Sequence, residues 1–151
     1  MADSTHLDAV RIRRESLHQA LVGLEDALST PIGDGERWRL RVAMAVDHAA
    51  NRLSEHVIST EADDGFLNEI VNDAPRLACR TARLRDDHED LEKAIDGLRT
   101  ALAEISDPDV GERGISIRNQ ALEFLGQLAA HRQRGADLIY EAYQVDIGNS
   151  S

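Results

Sequence analysis

The stretch RLACRTARLRDDHEDLEKAIDGLRTALAEI, Arg76 to Ile105, decides the fold. Taken every third or fourth residue it reads Leu77, Thr81, Leu84, His88, Leu91, Ile95, Leu98, Leu102, Ile105. This alternation of fours and threes keeps one face of an α-helix turned to one side for about eight turns. His88 stands in that stripe where the pattern calls for a leucine. An apolar face of this length needs partners, and the rest of the chain supplies three more.

Working outward toward the N-terminus, Ser29 to Gly35 holds one proline and two glycines, which end a helix. Before it, a helix over about 7–28 has the stripe Val10, Leu17, Leu21, Leu24, Leu28, after a polar start that Asp3 or Ser4 would cap. After it, a helix over about 36–61 has the stripe Val42, Val46, Ala49, Leu53, His56, Thr60. The sequence Asp63-Asp64-Gly65 stops that helix, and 66–71 forms a short apolar turn across the bundle end. Pro75 restarts the chain for the helix over about 75–105. Beyond Pro108, Gly111 and Gly114, a helix over about 115–143 has the stripe Ile117, Ala121, Phe124, Leu128, His131, Gly135, Ile139. Four amphipathic helices with short connections predict an all-α, up-down-up-down four-helix bundle, with residues 1–151 as one domain.

The totals agree. The chain has 151 residues, 42% of them hydrophobic and 3% aromatic, so a core of leucine, isoleucine, valine and alanine is expected. A formal charge of −11 repels nucleic acid and anionic membrane surfaces, so neither is an expected partner. One cysteine, Cys79, excludes an intramolecular disulfide. No apolar run approaches the ~20 residues that span a bilayer, and no signal core precedes the first helix, which predicts a cytoplasmic protein.

Each helix carries a histidine on or beside its stripe: His18, His56, His88 and His131. A single inward histidine is ordinarily a core residue with satisfied nitrogens. Four of them, one per helix, raise the prospect of a metal site. Distance from the helix ends places His18, His88 and His131 in one layer, with His56 fitting less well. His18 lies roughly 80° from the centre of its stripe, and His48 is turned outward. Imidazoles suit zinc, iron and copper alike.

These segments resemble the hemerythrin-like (HHE cation-binding) family. The resemblance rests on His18 followed by Leu21 and Leu24, and on His56 before an acidic patch. It extends to Leu-Arg-Asp-Asp-His-Glu-Asp-Leu around His88 and Phe-Leu-Gly-Gln-Leu-Ala-Ala-His ending at His131. It implies a four-helix bundle holding two irons on histidine and carboxylate ligands, used in oxygen or nitric oxide binding or in iron and redox sensing. The departures are specific. The family's bridging carboxylates would fall four residues after His56 and four or five after His131, where this chain has Thr60, Gly135 and Ala136. Glu61 and Asp137 are each turned well away from those positions. Glu92, four residues after His88, stands where the family has a second histidine. Di-iron sites need carboxylates to bridge the metals, so the standard centre is expected to be lost.

The sequence therefore predicts a bundle that binds iron or zinc, or a small ligand, through His18, His56, His88 and His131, with Glu92 and Glu61 as weaker ligands. The alternative is a metal-free structural or protein-interaction bundle, a homodimer included. No nucleophile or acid–base constellation argues for an enzyme. Arg76, Arg80 and Arg83 read as a solvated flank, as does the pair Arg83 and Asp87. Tyr140, Tyr143, Val145 and Ile147 read as a cover for the open end of the bundle. Gly135, at a core position in a helix, suggests a close helix approach or space for something bound.

Overall fold

The computed structural model describes residues 4–33, 35–105 and 110–145. The readings that concern Asp3, Pro108 and Ile147 fall outside them. Four long helices carry the fold: α1 (Ser4–Ser29), α2 (Gly35–Glu61), α4 (Ala78–Glu104) and α5 (Val110–Tyr140). A short helix, α3 (Phe66–Asp73), and a 3-10 turn (Pro75–Leu77) lie between α2 and α4, and a π-helical turn (Glu141–Val145) follows α5. No strand occurs among the described residues. The last helix begins at Val110, earlier than the expected 115, so Gly111 and Gly114 are helical.

Cross-helix pairs give the directions. Asp47 accepts from Arg99 Nε at 2.9 Å, and the rings of His56 and His88 meet further along, so α2 and α4 are antiparallel. Asp87 meets His131, while a Cβ on Gly97 would touch Gln120, so α4 and α5 are antiparallel. Thr30 meets Arg118 and His18 meets Arg132, so α1 and α5 are antiparallel too. With α1 packed on α2, the four helices close into an up-down-up-down ring.

The stripes face inward as the periodicity requires. Leu17, Leu21, Leu24 and Leu28 are buried against Val42, Val46 and Leu53, Leu91 through Leu102, and Ile117 through Leu128. A leucine buried this fully contributes about 1.5–3 kcal/mol relative to an exposed one. At the far end of this core, Thr30 Oγ1 donates to the Ala27 carbonyl at 2.6 Å and Ser29 Oγ to the Asp26 carbonyl at 2.8 Å. Carbonyls left without helical partners are thereby satisfied, and Pro31 prevents continuation.

A second, smaller core lies at the other end, where Phe66, Leu67 and Ile70 of α3 pack on Leu77, Leu84 and Leu138. Tyr143 stacks on Phe66 with ring centres 6.2 Å apart, as expected of a residue covering the open end, whereas Tyr140 is exposed. Gly65 makes this cap possible. A Cβ there would lie 2.6 Å from the Ser59 carbonyl oxygen and 2.7 Å from that of Thr60. No other residue fits without movement of the α2 end. The bare backbone lets α3 fold directly back, with Gly65 N–H donating to the Ala62 carbonyl at 2.7 Å. Ala74, held out of the helical region as the residue before a proline tends to be, then redirects the chain into α4.

Candidate metal centre

Three histidines meet where the two cores join. His56 comes from the last turns of α2, His88 from the middle of α4, and His131 from α5. Their ring centres are 5.1 Å (His56 to His88), 5.7 Å (His56 to His131) and 4.8 Å (His88 to His131) apart. One ligand nitrogen of each lies within 4.8 Å of the other two. His88 and His131 are buried, at 2% and 4% exposure, and His56 is half-buried.

His18 is not in this group. It is exposed, and its Nδ1 accepts from Arg132 Nη1 at 3.0 Å. Its wheel position, roughly 80° off the stripe, outweighs the depth reckoned from the helix ends. His56 takes its place although α2 ends at Glu61 as expected: Glu61 stands level with Arg85, so α4 begins about two turns beyond the end of α2 and His88 comes level with His56. His48 is exposed, as its helical position requires.

The carboxylates are arranged differently from the sequence expectation. Asp87 is not part of a solvated flank. It is 7% exposed, beneath α5, and accepts from His131 Nδ1 at 2.9 Å. Both its oxygens also accept from Arg134, at 2.9 Å each, and the expected ion pair with Arg83 is present at 3.6 Å beside these shorter contacts. The stripe passes over Asp87 because it neighbours His88, about 100° round the helix. The available signal was His131 and Arg134, two donors one turn apart on α5 that need a buried acceptor. Burial would raise the Asp87 carboxyl, but the hydrogen bonds from Arg134 and His131 outweigh it and hold the group below its ordinary value. An ionised Asp87 accepts only, so His131 carries its proton on Nδ1 and presents Nε2 as a lone pair.

Glu61, the last residue of α2, has Oε1 3.7 Å from His88 Nδ1, close but beyond hydrogen-bond length. The geometry that turned it away from His56 turns it toward His88 on the neighbouring helix. Arg85 lies 3.9 Å from Glu61 and donates to Asn68 Oδ1 at 2.8 Å, which ties α3 to the same corner. Glu92 is half-buried and close enough to Glu61 to raise its carboxyl, after the larger effect of burial. Asp137 is exposed and accepts from Gln133. Thr60 donates its hydroxyl to the His56 carbonyl at 2.8 Å.

His88 Nδ1 is buried without any hydrogen-bond partner. Burial pushes the His88 imidazole down to about 3 and the neighbouring His56 and His131 rings add to this; His56 is pushed down to about 4, first by burial. His131 is lowered by burial against the opposing pull of Asp87. All three are therefore neutral at pH 7, the form in which imidazole binds a metal.

The rings open on a cavity of about 70 Å³ lined by His56, His88, His131, Arg14, Arg132, Gly135 and the apolar residues around them. Gly135 thus marks space and not a close helix approach: nothing lies within 4 Å of a Cβ built there. The Gly135→Ala variant is expected to stabilise the metal-free protein by roughly 0.5–1 kcal/mol, through helix propensity and a less flexible unfolded chain. A thermal melt checks this, with a rise of about 2 °C expected; a fall would mean that the cavity wall closes on that position.

No family model, no curated protein and no solved structure matches this chain.

Proposed function

We propose that this protein binds one divalent transition-metal ion, zinc or iron, through His56, His88 and His131. The observation that carries the reading is the convergence of three neutral imidazoles from three different helices, two of them buried, on one cavity. Imidazoles bound at about 2.0–2.1 Å in a tetrahedral array put their ring centres roughly 5 Å apart. The observed spacings of 4.8–5.7 Å bracket that value. A metal also gives the unpartnered buried nitrogen of His88 a reason, since such an orphan otherwise costs about 1–3 kcal/mol.

The surrounding groups fit the role. Asp87 holds the ring of His131 and makes it a better donor, as a carboxylate behind a ligating histidine does. Glu61 is the carboxylate placed to offset the charge or to take a fourth position, and Glu92 stands behind it. His18 is left outside this ligand set. On this reading the chain is a divergent hemerythrin-like bundle in which the two-iron centre has given way to a single ion. The support is that no carboxylate stands at Thr60, Gly135 or Ala136, where bridging ligands would be needed.

Elemental mass spectrometry on untagged protein, together with an absorption spectrum, tests this. Close to one zinc or iron per chain is expected. Two irons per chain with oxo-bridge absorption bands would overturn the single-ion reading. A protein that holds no metal even after reconstitution would overturn metal binding altogether and leave a structural or interaction bundle.

A further inference from the structure

Arg14 of α1 and Arg132 of α5 sit on the wall of the histidine cavity. Neither makes an ion pair among the described residues, where Arg132 donates to the His18 ring alone. In a chain of net charge −11, carboxylates to neutralise them are plentiful. The other arginines about the site have found theirs: Arg134 has Asp87, Arg85 has Glu61, and Arg80 has Glu141. Arg14 is held below its ordinary value, by burial first and by the charge of Arg132 second, so the two guanidiniums repel each other across the cavity wall. Much of the remaining lining is apolar: Leu17, Phe66, Leu67, Leu84 and Ile139.

We propose that this cavity is a binding site for a short aliphatic carboxylate. Its head group accepts from Arg14 and Arg132, and its chain lies against Phe66, Leu67 and Ile139. Two guanidiniums on one cavity wall offer planar donors from which a carboxylate accepts, and an anion beside them offsets their repulsion. The apolar wall selects an alkyl chain over a fully polar anion such as phosphate. The modest volume selects a short chain, since a dry cavity of about 150 Å³ is what holds a benzene ring. The arginines act without a metal, so the inference stands apart from the metal reading.

Titration calorimetry with propanoate, on protein treated with a chelator and again on protein loaded with zinc, tests the site. Saturable binding of one propanoate per chain is expected in the chelated protein, with propan-1-ol and inorganic phosphate each at least about tenfold weaker. The double variant Arg14→Gln with Arg132→Gln, checked for helix content by circular dichroism, is expected to lose propanoate at least about tenfold. Propanol or phosphate binding as tightly as propanoate would overturn the proposal without recourse to any variant. So would a folded double variant with unchanged propanoate affinity, or no propanoate binding. Propanoate binding in a protein that takes up no zinc would remove the metal reading alone, and zinc uptake without propanoate binding would remove this one alone.

Discussion

Replacing His88 by leucine is expected to abolish stoichiometric metal binding and, in the same protein, to raise the stability of the metal-free form. The two effects have one cause. His88 occupies a position that the α4 stripe reserves for an apolar residue, between Leu84 and Leu91, and it is 2% exposed. Its Nδ1 has no partner, so the folded state carries an unsatisfied polar atom that the unfolded chain solvates. Leucine removes that cost, about 1–3 kcal/mol, and fills similar space. Part of the gain is lost because the edge contacts with His56 and His131 are replaced by looser packing. A net rise of roughly 1 kcal/mol is expected in urea unfolding of chelator-treated protein. His131 keeps Asp87 as its partner, so the variant leaves no new orphan. Metal affinity should fall by at least about 10³-fold, since even a residue behind a ligand is worth about 10–100-fold. A variant that keeps its metal would remove His88 from the ligand set. One that loses both metal and stability would make the ring a structural member of the core.

That opposition between function and stability was legible in the sequence only in part. The stripes of α1, α2, α4 and α5 are long, regular and closed by proline and glycine, so the helices and their inward faces follow from periodicity alone. The inward placing of His56, His88 and His131 follows in the same way. What periodicity does not carry is register between helices. Which histidines meet depends on how far α2 runs before Gly65 turns it and on how the helices slide along one another. Depth reckoned from the helix ends groups His18 with His88 and His131, whereas the structure groups His56 with them. Asp87 shows the second gap. A residue beside the stripe is buried or exposed according to what the neighbouring helix lays over it. Here α5 lays down His131 and Arg134, so a residue that reads as half of a surface ion pair becomes the acceptor that fixes a buried ring. Glu61 shows the third: it is badly turned for its own helix's histidine and well placed for that of a neighbour.

The same neutral cluster should make the metal-free protein collapse steeply in mild acid. In the unfolded chain the three histidines take up protons near their ordinary value of 6.5, whereas in the fold burial pushes His56 to about 4 and His88 to about 3 and lowers His131. Below pH 6.5 the unfolded state therefore binds more protons, and stability falls as pH falls. The loss stops only below the folded values. The groups facing the cluster do not reverse the sign: Glu61, 3.7 Å from His88 and raised by burial, takes up its own proton at higher pH in the fold and offsets only part of the loss. Asp87 favours the charged form of His131, but Arg134 opposes it. Arg14 disfavours charge on His56, and Arg85 disfavours it on His88. Asp87, held below its ordinary 3.8, adds a further loss in the same direction only under that pH. Each proton of difference is worth about 1.36 kcal/mol per pH unit, so His56 and His88 together approach roughly 2.5 kcal/mol per unit near pH 5, and His131 adds to the fall. Against a total stability on the order of 5–15 kcal/mol, a loss of that size over two pH units brings the protein to the edge of unfolding. Helical circular dichroism followed from pH 7 to 4 on chelator-treated protein gives the transition. Zinc should move it to lower pH, because bound metal competes with the protons for the same nitrogens. The His88→Leu protein should show a shallower slope, having one fewer proton to take up. A helical signal unchanged from pH 7 to 4 without metal would mean that the imidazoles are charged or solvated in the fold, and with that the buried neutral donor set on which metal binding rests would be gone.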